Sequence, residues 1–218
     1  MDTRGQLIEA IKDRDGARVR EILEQDATAA SARDSHGVSA MMLALYHGQQ
    51  GAVDLLRVAN PNLDIFEAAG LGETRRVDEL LRADPSLVRG WSPDGFTALH
   101  LAAFFSHPET ARALVEAGSD VNVASRNGMQ VAPLHSAAAG HNFATVRILL
   151  EHGADPNARQ HGGWTPIHAA AQDGDEDMVD LLIKHGADPT LKNDVGLTPL
   201  DVAKEKGHSE LASRLSAA

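Results

Sequence analysis

The chain has 218 residues, and its 20 Lys and Arg against 31 Asp and Glu give a formal net charge of −11. The absence of cysteine excludes disulfides, thiolate catalysis and Cys-ligated zinc, and the acidic balance argues against nucleic acid, which requires a basic face. No signal peptide is recognisable at the start, and the longest apolar run, residues 40–46, is too short to span a membrane. We therefore expect a cytoplasmic protein that binds neither nucleic acid nor membrane.

A repeat with a period of 33 to 35 residues organises the chain. The clearest copies begin at Thr97, Ala132, Thr165 and Thr198, and the same register extends upstream. Each of seven units carries Ala five residues after its start, which is typical of a helix that packs closely on its neighbours. The sequence predicts a single domain over residues 1–218, with units that start near residues 5, 39, 63, 97, 132, 165 and 198.

Each unit predicts two helices. Thr97, Thr165 and Thr198 are suitable N-caps, because a threonine hydroxyl can accept a hydrogen bond from the first helical turn. Pro166 and Pro199 then fall at the first helical position, where the missing N–H has no cost. The second helix carries apolar residues at helical spacing and ends at a glycine in the regular units.

Two segments carry the resemblance to a known family. Residues 163–174 read Gly-Trp-Thr-Pro-Ile-His-Ala-Ala-Ala-Gln-Asp-Gly, and residues 181–188 read Leu-Leu-Ile-Lys-His-Gly-Ala-Asp. Both resemble the ankyrin repeat, closely over residues 91–218 and loosely over the first three units. The resemblance implies an all-α solenoid of about seven antiparallel helix pairs with β-hairpin fingers at about a right angle. It also implies a binding surface formed by the fingers and the first helices.

The sequence departs from the family pattern at three places. Only 24 residues separate Ser39 from the next start, so we expect one finger to be missing near residue 60, where residues 59–62 form a tight connection. One fingertip is enlarged at residues 129–131. Asp26-Ala27 and Asp84-Pro85 replace the usual Gly-Ala-Asp after the second helix.

Eleven histidines raise the possibility of metal or acid–base chemistry. The repeat explains most of them: His100, His135 and His168 occupy the position where the family has a structural hydrogen-bonding ring beside the Thr cap. No helical zinc motif or other catalytic signature is present, and we expect no cofactor and no metal. The acidic turn at residues 173–177 is interpreted as the cap of the following helix.

The aromatic residues indicate a binding surface. Six of the eight fall, by register, on the fingers or at the ends of the first helices, where the family binds its partners. A concentration of apolar side chains on one exposed strip is typical of a partner site. The predicted apolar contacts are Tyr46, Trp91, Phe96, Phe104, Phe105, Met129 and Trp164. A polar rim is predicted from His47, Asp94, Arg126, Gln130, His161, Gln172 and Asp173.

The preferred hypothesis is a non-enzymatic, monomeric module that binds an unidentified protein through its concave face and fingers. Two alternatives stay open. One is a metal- or small-molecule-dependent enzyme on the same scaffold that would use His47 and His161. The other is a solenoid that self-assembles through an incompletely capped C-terminal unit.

Overall fold

The computed structural model describes residues 2–60 and 62–216, and this part of the chain contains fourteen α-helices arranged as seven consecutive pairs. The first four are α1 (Thr3–Lys12), α2 (Gly16–Gln25), α3 (Ala40–Tyr46) and α4 (Gln50–Ala59). The next four are α5 (Ile65–Gly70), α6 (Thr74–Ala83), α7 (Ala98–Phe104) and α8 (Pro108–Glu116). The last six are α9 (Pro133–Ala139), α10 (Phe143–Glu151), α11 (Pro166–Asp173), α12 (Glu176–Lys184), α13 (Pro199–Lys206) and α14 (Ser209–Leu215).

The helices begin where their capping residues lie. The Thr97 and Thr198 hydroxyls accept hydrogen bonds from the third residue of the helix that follows each, which confirms those two predicted caps. Two early helices differ from the repeat register. Asp2 caps α1, so this helix begins before Gly5, and Asp64 rather than Leu63 caps α5 in a capping box with Glu67.

The helix pairs share one apolar core that runs from Leu7 to Leu215. The seven alanines of the repeat register are all buried, which lets successive first helices stack closely. On the second helices, the aliphatic residue at the register position that Leu80 holds in the third unit is buried in the other six units. In the third unit Leu80 is half-buried, and the neighbouring Leu81 occupies the core instead.

Five fingers are present as hairpin turns at residues 34–38, 92–96, 125–131, 160–164 and 193–197. Each is closed by a backbone hydrogen bond between its end residues, and no regular strand forms in the described residues. Neighbouring fingers in the second half are joined by their backbones: Arg126 N–H donates to the Gly95 carbonyl at 2.8 Å, and Asp194 N–H donates to the Gly162 carbonyl at 2.9 Å.

The predicted loss of a finger near residue 60 is confirmed for residues 60 and 62–64, which connect α4 to α5 without a hairpin. Pro61 lies outside the described residues. A Cβ atom on Gly37 would lie 3.3 Å from the Pro93 Cβ, so the 34–38 finger rests directly on the 92–96 finger. The third unit therefore contributes two helices to the stack but no fingertip between its neighbours.

The repeated histidines link each regular unit to the next, as the structural interpretation predicted. The Thr97 N–H donates to His100 Nδ1 at 3.2 Å, which leaves Nε2 as the protonated nitrogen that donates to the Val131 carbonyl at 2.8 Å. His135 and His168 make the same pair of contacts one and two units later. Burial lowers the pKa of all three rings, to about 4 for His100, so they are neutral at pH 7.

Candidate binding cleft

A cleft of about 520 Å³ opens between the fingertips and the first helices of the fourth and fifth units. Its lining comes from the ends of α3, α7 and α9 and from the 92–96, 125–131 and 160–164 fingers. The lining residues are Tyr46, Asp94, Phe96, His100, Leu101, Phe104, Met129, Val131, His135, Ser136, Ala139 and Gln160. This volume falls in the range of sites that enclose a drug-sized ligand or several side chains.

One wall of the cleft depends on a contact across the missing finger. Tyr46, at the end of α3, donates its hydroxyl proton to Asp94 Oδ2 at 2.5 Å, and Asp94 Oδ1 accepts from the Ser92 hydroxyl at 2.5 Å. Burial, and then the hydrogen bond to the Asp94 carboxylate, raises the pKa of Tyr46 well above its usual range. The phenol therefore stays protonated and holds the 92–96 fingertip over the first helices.

The mouth of the cleft is apolar and exposed. Phe104 is 45% exposed and Met129 is 51% exposed, although both side chains are large and apolar. The Phe104 ring packs edge-on against Phe105 with 5.1 Å between centroids, and Phe105 lies 5.8 Å from the Tyr46 ring. Phe105 itself is half-buried on a small apolar cluster around Met42 and Leu101, so its packing orients Phe104 towards the opening.

The floor is formed by first-helix residues with short or neutral side chains. Ser136 and Ala139 of α9 leave the depth of the cleft open because neither side chain extends far. His100 and His135 also line the cleft, and their lowered pKa keeps them uncharged at pH 7. Asp94 is thus the one charged residue among those that line the cleft in the described chain.

Two predicted site residues lie together on another side of the same fingers. The Arg126 guanidinium stacks over the Trp91 ring at 4.3 Å from its centroid, and both contribute to a more open depression beside Gly95. The predicted contact residues therefore fall into two groups in the structure. Tyr46, Asp94, Phe96, Phe104 and Met129 share the cleft, whereas Trp91 and Arg126 form a separate cation–π pair.

The remaining predicted residues do not line the cleft. Trp164 is half-buried against the core, with its ring 5.6 Å from that of His168, and His47 is half-buried at the end of α3. Gln130 and His161 are exposed on the fingers. Gln172 and Asp173 are exposed at the end of α11, and Asp173 Oδ2 lies 3.8 Å from His141 Nε2.

Sequence reasoning did not predict seven of the twelve residues that line the cleft: His100, Leu101, Val131, His135, Ser136, Ala139 and Gln160. The register offered a signal for the floor, since Leu101 and Ser136 both lie four residues after a unit start. Gln160 is the first residue of the 160–164 finger, and the register gave no signal for it.

The acidic turn before α12 acts as predicted, because the Asp175 carboxylate accepts from the Met178 N–H at 3.0 Å. Within the described residues, no group of three or more His, Asp or Glu side chains is placed to hold a metal ion. No helix in that part of the chain is both long and apolar enough to cross a bilayer.

Comparisons with known proteins agree with the repeat pattern. One family model, described as ankyrin repeats in three copies, matches residues 65–160, and a second, for a single ankyrin repeat, matches residues 162–194. The chain is 32% identical over 135 residues to the neurogenic locus Notch protein of Drosophila melanogaster, which is 62% of this chain and 5% of that protein.

Two further relatives show the same partial coverage. The human BCL-6 corepressor-like protein 1 is 34% identical over 98 residues, which is 45% of this chain and 5% of that protein. The probable E3 ubiquitin-protein ligase XBOS31 of Oryza sativa subsp. japonica is 40% identical over 93 residues, 42% of this chain and 20% of that protein. The match therefore spans only a small part of each relative.

Proposed function

The chain belongs to the ankyrin repeat family, whose members generally serve as protein–protein interaction modules, and on that premise we propose that it is a non-enzymatic module that binds a partner protein. The cleft between the fingers and the first helices is the proposed docking site. The module acts as one domain over residues 1–218 and as a monomer.

The observation that carries the proposal is the exposure of large apolar side chains at the mouth of the cleft. Phe104 and Met129 stand about half exposed beside an open volume, although leaving such groups in water is unfavourable. A partner side chain that enters the cleft would remove this surface from water and pack on Phe104 and Met129. Apolar patches with this arrangement usually mark an interaction site.

Site-specific photo-crosslinking tests the proposal. A photoreactive phenylalanine analogue at position 104 should capture a discrete protein from a native extract, because that side chain faces the opening. The matched control places the same analogue at Val195, which is 78% exposed on another finger and outside the cleft. Equal capture at positions 104 and 195, with unchanged helical circular dichroism, would contradict the cleft as the docking site.

A loss-of-contact variant gives the second measurement. Met129→Ala combined with Phe104→Ala should weaken binding of the captured protein by about 30-fold or more, since truncation of a central contact residue costs about 1–2 kcal/mol or more. The exposed Val58, 86% exposed on α4, provides the control substitution Val58→Ala, which should leave the affinity unchanged.

A further inference from the structure

Asp94 carries an unpaired negative charge into an otherwise apolar cleft. Its carboxylate accepts hydrogen bonds from the Tyr46 and Ser92 hydroxyls, which are neutral donors and leave the charge in place. Within the described chain no Lys, Arg or His forms an ion pair with this carboxylate, whereas ten ion pairs join Lys or Arg to other carboxylates. Asp94 is therefore an acceptor with a free charge and spare lone pairs.

The nearest basic groups do not compensate for it. Arg126 follows on the next finger, but its guanidinium stacks over Trp91 rather than pairing with Asp94. His100 and His135 in the floor are neutral at pH 7, because burial lowers the pKa of both rings. The chain as a whole is also acidic, with a formal net charge of −11.

The surroundings strengthen the effect of this charge. Clefts with low-dielectric walls focus the field of a charge at their opening, and here the walls are Phe96, Phe104 and Met129. The Tyr46 ring, 37% exposed, lines the same cleft beside the carboxylate, so a cation that pairs with Asp94 would have an aromatic neighbour. An aromatic face next to a carboxylate favours a guanidinium or an ammonium group.

We propose that the cleft recognises a basic–apolar segment of its partner, in which a bulky apolar side chain is adjacent to an arginine or lysine. The apolar side chain enters between Phe104 and Met129. The cationic group pairs with the Asp94 carboxylate against the Tyr46 ring. This inference rests on the proposed function, since it specifies the partner chemistry of the same cleft.

A phage-displayed library of random twelve-residue peptides, selected on the intact protein, tests the inference. Peptides that also bind the Phe104→Ala variant are removed by counter-selection. The expected result is enrichment of sequences with Arg or Lys next to Leu, Ile, Met, Phe or Trp. Enrichment of apolar peptides without a basic residue would overturn the inference and leave the proposed docking cleft intact.

Calorimetric titration with the enriched peptide, made synthetically, supplies the decisive comparison. Asp94→Asn preserves the shape of the side chain and one of the two oxygens that accept from Tyr46 and Ser92. It removes the charge, and it should weaken binding at least about tenfold. Asp177→Asn, an equal charge change on the exposed first turn of α12, should leave binding unchanged. Raising NaCl from about 0.05 M to about 0.5 M should weaken wild-type binding more than Asp94→Asn binding.

The outcomes test the preference for a basic residue and the docking cleft separately. Peptides that require Phe104 but tolerate Asp94→Asn would refute the charge selection alone. Peptides that tolerate both substitutions, or a selection that yields no Phe104-dependent binder, would refute the charge selection and count against the cleft as a docking site.

Discussion

The last four units and the first three hold their neighbours by different means. In residues 97–216 the linkage is polar and periodic: in three of the four units a histidine at the third position after the unit start donates to the next finger, as His100 does to the Val131 carbonyl. In the last unit Asp201 occupies this position and accepts from Thr198. In residues 2–96 the same register position carries Ile8, Met42 and Phe66. Met42 and Phe66 pack instead in an apolar cluster with Val38 and Leu101.

The difference shows that one register position can stabilise the stack in two ways. A buried histidine satisfies the orphan groups of the helix start and the next finger, and so depends on a finger being present. An apolar side chain requires no such acceptor. In the second unit, where Met42 occupies the position, the next finger is missing, whereas the first and third units carry Ile8 and Phe66 although the 34–38 and 92–96 fingers follow them. The apolar residue therefore replaces the histidine throughout the first region, with or without a following finger.

The largest effects should come from the core that both regions share. Leu56→Ala and Leu149→Ala remove fully buried side chains at equivalent register positions, one in each region, and each should lower the free energy of unfolding by about 2–5 kcal/mol. Urea titrations followed by circular dichroism measure both. A cost for Leu56→Ala below half of that for Leu149→Ala would show that the first region contributes little to the cooperative core.

Acid should weaken the second region selectively. The folded-state pKa of His100 is about 4, below its unfolded value of 6.5, so the unfolded chain binds more protons between these values. Its stabilisation is complete above pH 6.5 and is lost as the pH falls towards 4, on the order of 2 kcal/mol at pH 5. Thermal melts at pH 7 and pH 5 should show this loss, and the triple variant His100→Gln, His135→Gln, His168→Gln should show much less of it.

Loss of one histidine link should lower the free energy of unfolding by less than loss of all three. His168→Ala leaves the Leu197 carbonyl and the Thr165 N–H without their partners, and it should destabilise the protein by about 1–3 kcal/mol. His161→Ala, at an exposed finger position, should change stability by less than about 0.5 kcal/mol. Similar costs for the two variants in urea would contradict the linking role of His168.

The smallest effect is expected in the first region, with the opposite sign. Burial, and then the charge of Asp64, raises the pKa of Glu67, so the ionised side chain is unfavourable at pH 7 and the cost disappears as the pH falls through its folded pKa. Glu67→Gln keeps an acceptor for the Asp64 N–H and should stabilise the protein at pH 7 by up to about 1 kcal/mol. Thermal melts at pH 7 measure the gain, and a lower melting temperature would show that the charge itself is required for the cap.

The repeat made most of the fold predictable, because each unit restates the same helix, cap and core positions. Two helix starts were misplaced where the repeat is degenerate: Asp2 and Asp64 cap their helices from positions that the Thr register does not mark. The cleft was predictable only in part. Register placed Phe104 and Met129 on the exposed side, but it could not show that Trp91 stacks with Arg126 instead of joining them.

Because Tyr46 contacts Asp94, the shape of the cleft also depends on the packing at the place where the finger is missing. Tyr46 precedes the missing finger in the chain and Asp94 follows it, in the 92–96 finger, so the wall of the cleft is assembled from both sides of a joint that lacks its own fingertip. Shearing at this joint would separate the Tyr46 hydroxyl from the Asp94 carboxylate and open the wall. A bound partner that contacts both sides would hold the joint together. Slower amide hydrogen exchange in α3 and in the 92–96 finger would show that it has bound.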